Sequence, residues 1–173
     1  MPTNWYVLDG APASGKTSTL AELARRGYHT TEEAAREYFD AELAKGRTIA
    51  EIRANKLEVQ KAILNRKCAK ESAFNPNETI FLDRGIPDTL AYSRAQGLPV
   101  WPELEDALAH SSYKKVFLLD PLPLTPDTVR TETPEEQHQI HEALKAAYEG
   151  RFPVVSVPVL PVRERADYIL ERL

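Results

Sequence analysis

Residues 10–17 read Gly10-Ala11-Pro12-Ala13-Ser14-Gly15-Lys16-Thr17 and match the pattern G-x-x-x-x-G-K-[ST]. An apolar run over 5–8 precedes the pattern, and a helical stretch over 16–25 follows it. A strand, a glycine-containing turn and a helix in this order predict a phosphate-binding loop. The glycines let successive backbone N–H groups point at one anion, and the dipole of the following helix adds positive potential there. The alternative is a turn that joins a strand to a helix by chance.

The loop pattern predicts a role for each of its side chains. We expect Lys16 to reach the β- and γ-phosphates of ATP, and the Thr17 hydroxyl to hold Mg²⁺. Asp83 is a second candidate metal ligand. The residues predicted to bind the nucleotide are Gly10, Ala13, Ser14, Gly15, Lys16, Thr17 and Ser18.

Composition limits the class of protein. The chain has 173 residues, of which 42% are hydrophobic and 28% charged, as is usual for a soluble globular protein. The net charge of −4 argues against a nucleic-acid partner or an anionic membrane surface. A single cysteine excludes an internal disulfide. Because the sequence shows neither a leader pattern nor a long apolar run, we expect a cytoplasmic protein with one domain over 1–173.

Five short apolar runs predict strands, over 5–8, 28–30, 79–82, 115–119 and 154–157. Helical patterns lie between them, over 16–25, 33–45, 49–73, 87–96, 102–110, from 134 onwards and from 161 to the end. Thr30 and Glu33 have the spacing of a capping box, and Thr133-Pro134-Glu135-Glu136 is typical of a helix start. The alternation predicts an α/β three-layer sandwich around a five-stranded parallel sheet. Ligands of such sheets bind beyond the carboxyl ends of the strands.

Charged residues follow the strand that is predicted over 79–82. The Asp83 carboxylate could orient Mg²⁺ or accept a proton from a substrate hydroxyl. The alternative for Asp83 is an N-cap of the helix that opens near Pro87. Arg84 could contact phosphate oxygens or the substrate, and its alternative is a surface ion pair.

Three further residues are candidates for substrate binding. Glu33 and Arg36 stand one helical turn apart, where they could bind substrate hydroxyls and an acceptor phosphate. Their alternative is a capping box with a solvated ion pair. Gln60 shares a helical stripe with Arg53 and could bind a base or amide edge, although a solvated helix face also explains it.

The segment from about 120 to 134 has three prolines before Thr133 and no clear period. Such a segment is long for a connection in a compact domain and is typical of a lid. Arg130 on a closing lid could stabilise charge on a transferring phosphoryl group. The alternative is a plain linker with a solvated arginine.

The stretch over 81–92, F-L-D-R-G-I-P-D-T-L-A-Y, resembles the D-R-G-x-P-D-x-x-A-Y signature of a family of small phosphate-loop proteins. These AAA-like ATPases are similar to the ribosylnicotinamide kinase domain of bacterial NAD regulators. Residues 116–123, 129–132 and 157–165 also look like this family.

The resemblance implies a P-loop nucleoside triphosphate hydrolase fold of the nucleotide- or nucleoside-kinase-like type. In that fold the strand that ends at Asp83 lies beside the strand that leads into the loop. The resemblance also implies binding of a Mg–nucleotide at 10–17, a metal or base role for Asp83, a lid role for Arg130, and an acceptor pocket that Glu33 faces.

Two functions are consistent with these residues. The first is a kinase that moves the γ-phosphoryl group of ATP to a nucleoside- or nucleotide-like small molecule, with Lys16, Asp83, Arg84 and Arg130 as catalytic residues. The second is an ATP-binding regulatory NTPase that has no small-molecule acceptor. A GTPase is disfavoured because the nearest match to N-K-x-D lies in a predicted helix and ends in Glu58. The sequence is compatible with a homodimer.

Overall fold

The computed structural model describes residues 2–123 and 133–173. In these residues five parallel strands form one sheet in the order β2-β3-β1-β4-β5. The strands are β1 Trp5–Asp9, β2 His29–Thr30, β3 Ile80–Asp83, β4 Lys115–Leu119 and β5 Val154–Val157. Each predicted strand is present, with bounds that differ by at most one residue at either end. The parallel sheet and the position of β3 beside β1 are confirmed.

The helices of the described residues either lie on one of the two faces of this sheet or pack against a helix that does. They are α1 Lys16–Arg25, α2 Ala34–Ala44, α3 Ile49–Arg53, α4 Lys56–Ala73, α5 Ile86–Ala95, α6 Pro102–His110, α7 Pro134–Tyr148 and α8 Val162–Leu170. None of them combines the length and the apolar character that a bilayer-spanning helix needs.

The strands bury both of their faces because alternate side chains point to opposite sides of a sheet. Val7, Leu82 and Val116 point to one face and pack against α4, α5, α6 and α7. Tyr6, Leu8, Phe81 and Phe117 point to the other face, which α1 and α8 cover. The three-layer sandwich predicted from the alternation of strands and helices is therefore confirmed.

The structure corrects two predictions about helix ends. The pattern over 49–73 forms two helices, because Asn55 leaves helical geometry (φ −113°, ψ 89°) and caps α4 by accepting a hydrogen bond from the Glu58 N–H at 3.1 Å. The predicted capping box between Thr30 and Glu33 is wrong. Glu33 itself occupies the N-cap position of α2, without a capping hydrogen bond from its side chain.

Candidate functional site

The central strands bring the phosphate-binding loop and the D-R-G stretch together. β1 and β3 pair in parallel, with Leu8 opposite Asp83, and the Arg84 N–H donates to the Leu8 carbonyl at 3.0 Å. Asp9 ends β1 immediately before the loop, and Asp83 ends β3 beside it. The carboxyl edge of the sheet therefore carries a cluster of charged groups, as parallel strands of this kind predict.

The loop over 10–17 curls into the first turn of α1. Gly15 is the N-cap of α1 and has a φ of 81°, a left-handed conformation that glycine adopts without strain. Lys16 is buried, and its Nζ donates to the Gly10 carbonyl at 2.9 Å. Burial, followed by the charge of Arg84, lowers the pKa of Lys16. The Ser18 hydroxyl donates to the Gly15 carbonyl at 2.9 Å, so this side chain braces the first turn of the helix.

Thr17 and Asp83 line one cleft, which also includes Glu33 and Arg36 and has a volume of about 380 Å³. We call it the loop-side cleft. Burial, followed by the negative charge of Glu33, raises the pKa of Asp83 to about 6. The alternative role of Asp83 as a helix cap is wrong, because Gly85 is the N-cap of α5.

The donor set of the loop-side cleft fits Mg²⁺. Asp83 Oδ1 is buried and has no hydrogen-bond partner in the described part of the chain, so this oxygen is available to bind a ligand. The Thr17 hydroxyl is a second hard oxygen donor on the same cleft. The described residues contain no cluster of three or more His, Cys, Asp or Glu residues suited to a metal ion. Mg²⁺ does not need such a cluster, since it usually keeps several waters and binds one or two protein groups plus substrate phosphates.

Arg84 is the centre of a buried ion network. Its Nε donates to Glu33 Oε1 at 2.8 Å, and its Nη1 donates to Asp88 Oδ2 at 2.7 Å and to Asp9 Oδ1 at 3.4 Å. Burial alone would lower the pKa of Arg84, but Asp88, Tyr92, Asp9 and Glu33 outweigh it and raise the pKa well above its usual value. Because only 10% of this side chain is exposed and its partner Asp88 is buried, the alternative of a surface ion pair is wrong.

The backbone of Arg84 is strained. Its φ of 65° lies in the left-handed region, which is unfavourable for a residue with a long side chain. Both backbone polar groups of the adjacent Gly85 are fixed, because its N–H donates to the Tyr148 hydroxyl at 3.0 Å and its carbonyl accepts from Lys67 Nζ at 2.9 Å. The surrounding structure thus holds Arg84 in a conformation that it would not adopt in a free chain.

Sequence reasoning missed Asp9, Lys67 and Asp88. Asp9 is fully buried and accepts hydrogen bonds from the Tyr148 hydroxyl at 2.7 Å and from the Gly10 N–H at 2.7 Å. Burial and the charge of Asp88 raise the pKa of Asp9. Burial would also raise the pKa of Asp88, but Lys67 and Arg84 outweigh it and lower the pKa. The sequence does mark Asp9, because β1 ends in a carboxylate as β3 does. No sequence pattern marks Lys67, which lies in the middle of a helix.

A second space, the helix-lined cavity, lies between α2, α3, α4 and α5 and has a volume of about 570 Å³. Its apolar wall includes Phe39, Val59, Ile63 and Tyr92, and its polar lining includes Glu33, Gln60, Arg84 and Asp88. Gln60 is 6% exposed, so the interpretation of a solvated helix face is wrong.

Glu33 lines both the loop-side cleft and the helix-lined cavity, so the two spaces share this residue. The alternative interpretation of Glu33 and Arg36, a capping box with a solvated ion pair, does not hold in the described residues, because Glu33 pairs with Arg84 instead. Arg36 is exposed and lines the loop-side cleft but not the helix-lined cavity. Arg130 and most of the predicted lid lie outside the described residues.

The strand order, the phosphate-binding loop and the charged strand ends define a protein of the P-loop nucleoside- and nucleotide-kinase fold class. A model of the AAA domain family matches residues 5–165, and the chain belongs to this family. The resemblance seen in the sequence is confirmed. No curated protein matches the chain.

Solved structures show the same fold at low identity. A NadR protein in complex with NR is 21% identical with a TM-score of 0.72, over 98% of this chain and 49% of that chain. The chain thus spans about half the length of that NadR protein. Deoxyadenosine kinase from M. mycoides with bound dATP is 14% identical with a TM-score of 0.66, over 96% and 97% of the two chains. Thymidylate kinase from Ehrlichia chaffeensis is 15% identical with a TM-score of 0.66, over 99% and 98%.

Proposed function

We propose that this protein is an ATP-dependent kinase that transfers the γ-phosphoryl group to a hydroxyl of a nucleoside-like small molecule. The observation that carries the proposal is the position of Glu33 on both the loop-side cleft and the helix-lined cavity. Phosphoryl transfer needs a donor and an acceptor side by side, and it depends mainly on positioning and charge neutralisation. The NadR and nucleoside-kinase folds of the similar structures support the same conclusion.

The donor half of the proposed site is the phosphate-binding loop with the loop-side cleft. Lys16 would leave the Gly10 carbonyl and contact the β- and γ-phosphates of ATP. Thr17 and Asp83 would hold Mg²⁺, which neutralises phosphate charge when it is bound. Arg36, which is exposed on the same cleft, would contact phosphate oxygens from the open side.

The acceptor half of the proposed site is the helix-lined cavity. Its aromatic and aliphatic wall suits a flat heterocycle, and the buried amide of Gln60 could hydrogen-bond to a polar edge of that ring. These features support a nucleoside-like acceptor.

The charged groups around Glu33 support a hydroxyl acceptor over a phosphate acceptor. The acceptor group has to lie near Glu33, where the two spaces meet. The adjacent cation, Arg84, already faces the carboxylates of Asp9, Glu33 and Asp88. A phosphate would add negative charge to this cluster, whereas a hydroxyl could donate its proton to Glu33. Arg130 remains a proposed stabiliser of the transferring group.

A turnover assay tests the proposal. The protein is incubated with Mg-ATP and, in turn, with nucleosides, nucleoside monophosphates and nicotinamide riboside, and ADP formation is followed. We expect at least one acceptor with a free hydroxyl on an uncharged or cationic nucleoside to raise turnover above the rate with ATP alone. Binding of ATP without stimulation by any acceptor would instead support a regulatory NTPase. Stimulation by monophosphates alone would contradict the hydroxyl acceptor.

A further inference from the structure

The outer side of the phosphate-binding loop is held by an arginine from the last helix of the chain. Arg165, on α8, donates from Nη1 to the Gly15 carbonyl at 3.1 Å and to the Ser14 carbonyl at 3.5 Å. The same nitrogen donates to Thr19 Oγ1 at 3.0 Å, while Nη2 donates to the Leu160 carbonyl at 2.8 Å. Arg165 thus joins the loop, the first turns of α1 and the start of α8.

The two preceding carbonyls of the loop are held in a similar way. Gln137, on α7, donates from Nε2 to the Pro12 carbonyl at 2.8 Å, and the Leu122 N–H donates to the Ala13 carbonyl at 3.1 Å. Gln137 also donates to the Leu122 carbonyl at 3.2 Å. Four consecutive carbonyl groups of the loop are therefore fixed from outside. We call this set of donors (Arg165, Gln137 and the Leu122 N–H) the outer clamp.

The outer clamp determines where the N–H groups of the loop point. In a trans peptide the carbonyl and the following N–H point in opposite directions, and the described residues contain no cis peptide. The N–H groups that follow the clamped carbonyls, those of residues 13 to 16, must therefore point away from the clamp. Within the described part of the chain, the N–H groups of Ala13, Ser14 and Gly15 donate to no protein acceptor. They are free to bind an anion.

Arg165 also carries a charge that the described residues leave uncompensated. The residue is 4% exposed, and its described hydrogen-bond partners are carbonyl and hydroxyl oxygens. No carboxylate of the described residues forms a salt bridge with it, unlike Lys67 and Arg84. A buried cation without a carboxylate is costly, and an anion on the other side of the loop would offset that cost.

We propose that Arg165 is a positioning residue of the phosphate-binding loop, which holds the loop amides toward a bound triphosphate and adds positive charge behind them. Gln137 supports the same loop from α7. This inference rests on the proposed function only in requiring that the loop binds a nucleoside triphosphate, and it is independent of the acceptor.

Direct titration with Mg-ATP in the absence of any acceptor tests the role of Arg165. We expect Arg165→Gln, which removes the charge and the two-pronged donor, to weaken Mg-ATP binding by at least about tenfold, or about 1.4 kcal/mol. The matched control is Arg163→Gln, because Arg163 lies on the same helix and is exposed. The control should bind Mg-ATP as the wild type does. Thermal melts of the ligand-free proteins establish that each variant folds.

A comparison of the KM values for ATP and for the acceptor distinguishes a positioning role of Arg165 from a general structural role. In turnover assays, Arg165→Gln should raise the KM for ATP and leave the KM for the acceptor within about twofold, a difference of at most about 0.4 kcal/mol. Arg165→Lys keeps the charge but not the two guanidinium donors, so its KM for ATP should lie between those of the wild type and Arg165→Gln. This variant serves as the test if Arg165→Gln does not fold. A folded Arg165 variant with wild-type affinity for Mg-ATP overturns the inference. A wild type that does not bind Mg-ATP overturns the proposed function itself.

Discussion

Glycine is required at position 15 by two independent features. Its φ of 81° is strained for any other residue, and a Cβ atom there would lie 2.1 Å from Arg165 Nη1. At Gly27 the φ is 93°, but nothing lies within 4 Å of the corresponding Cβ position. The two glycines therefore share the strain and differ in the contact with the outer clamp.

Gly15→Ala should disrupt the loop, whereas Gly27→Ala should show the strain alone. We expect Gly27→Ala to lower the free energy of unfolding by about 1–2 kcal/mol and to leave Mg-ATP affinity unchanged. We expect Gly15→Ala to lose at least about tenfold in Mg-ATP affinity in addition, about 1.4 kcal/mol, since Arg165 must move. Calorimetric titration and thermal melts measure both quantities. Equal affinities for the two variants would contradict the account of the outer clamp.

Asp83→Asn should abolish turnover and have a smaller effect on nucleotide affinity. The substitution preserves the size of the side chain but removes the negative charge that we propose for Mg²⁺ binding. Asp40→Asn is the matched control, because Asp40 is an exposed carboxylate on the rim of the same cleft. Steady-state rates and titration with Mg-ATP provide the measurements. Turnover of Asp83→Asn close to that of the wild type would exclude Asp83 from the reaction.

Sequence could predict those site residues that follow strands closely. Asp83 ends a strand, Glu33 lies three residues after one, and Thr17 belongs to the loop that follows β1, and the structure brings all three to one cleft at the edge of the sheet. Arg165 could not be found in this way, because it reaches the loop from α8 through contacts about 150 residues apart in the chain. Side chains that act through long-range packing leave no local pattern.

At the scale of secondary-structure elements, helix starts were harder to predict than strands. The strands are apolar runs that are buried on both faces, so their signal is strong. The break between α3 and α4 depends on Asn55, whose side chain caps α4. An asparagine three residues before Glu58 is typical of a helix start, but the apolar spacing of Ile52, Val59 and Ile63 continued across it and favoured one helix.

Glu71 should make the packing of α4 against the sheet depend on pH. It accepts a hydrogen bond from the Tyr113 hydroxyl at 2.7 Å, and that hydroxyl accepts one from the Ile86 N–H at the start of α5. Burial raises the pKa of Glu71 from 4.5 to about 7, although Tyr113 and Lys67 oppose the shift. Between pH 4.5 and about pH 7, Glu71 keeps its proton in the folded state and loses it in the unfolded state. Stability from this group is thus greatest at low pH and is lost as pH rises toward 7.

The substitution Glu71→Gln tests this pH dependence of stability, because a glutamine side chain keeps an acceptor for Tyr113 and has no proton to lose. Relative to the wild type, this variant should gain stability as pH rises from 5 to 7, by at most about 1.4 kcal/mol per pH unit. Denaturant unfolding at a series of pH values measures the difference. The exposed Glu105→Gln on α6 is the control. A stability difference for Glu71→Gln that does not change with pH would show that the carboxyl is charged throughout.

For the molecule as a whole, the phosphate-binding loop contacts described residues that lie before and after the segment over 124–132. Leu122 and Gln137 lie on either side of that segment, and both bind the loop. This arrangement supports the prediction that Arg130 acts near the transferring phosphoryl group. Arg130→Ala should lower kcat by at least about tenfold, a threshold well below the roughly 10³- to 10⁵-fold that an arginine finger contributes to phosphoryl transfer. An unchanged kcat would make the segment a plain linker.

If a donor site and an acceptor site meet at Glu33, the γ-phosphoryl group of ATP must end on an acceptor molecule, and its destination can be followed with a label. The protein is incubated with ATP labelled in the γ-phosphate and with a mixture of nucleosides including nicotinamide riboside, and the labelled products are separated. We expect label on an organic phosphomonoester, with loss of that product in Glu33→Gln. Label that appears only as inorganic phosphate, at the same rate with and without nucleosides, would contradict this expectation.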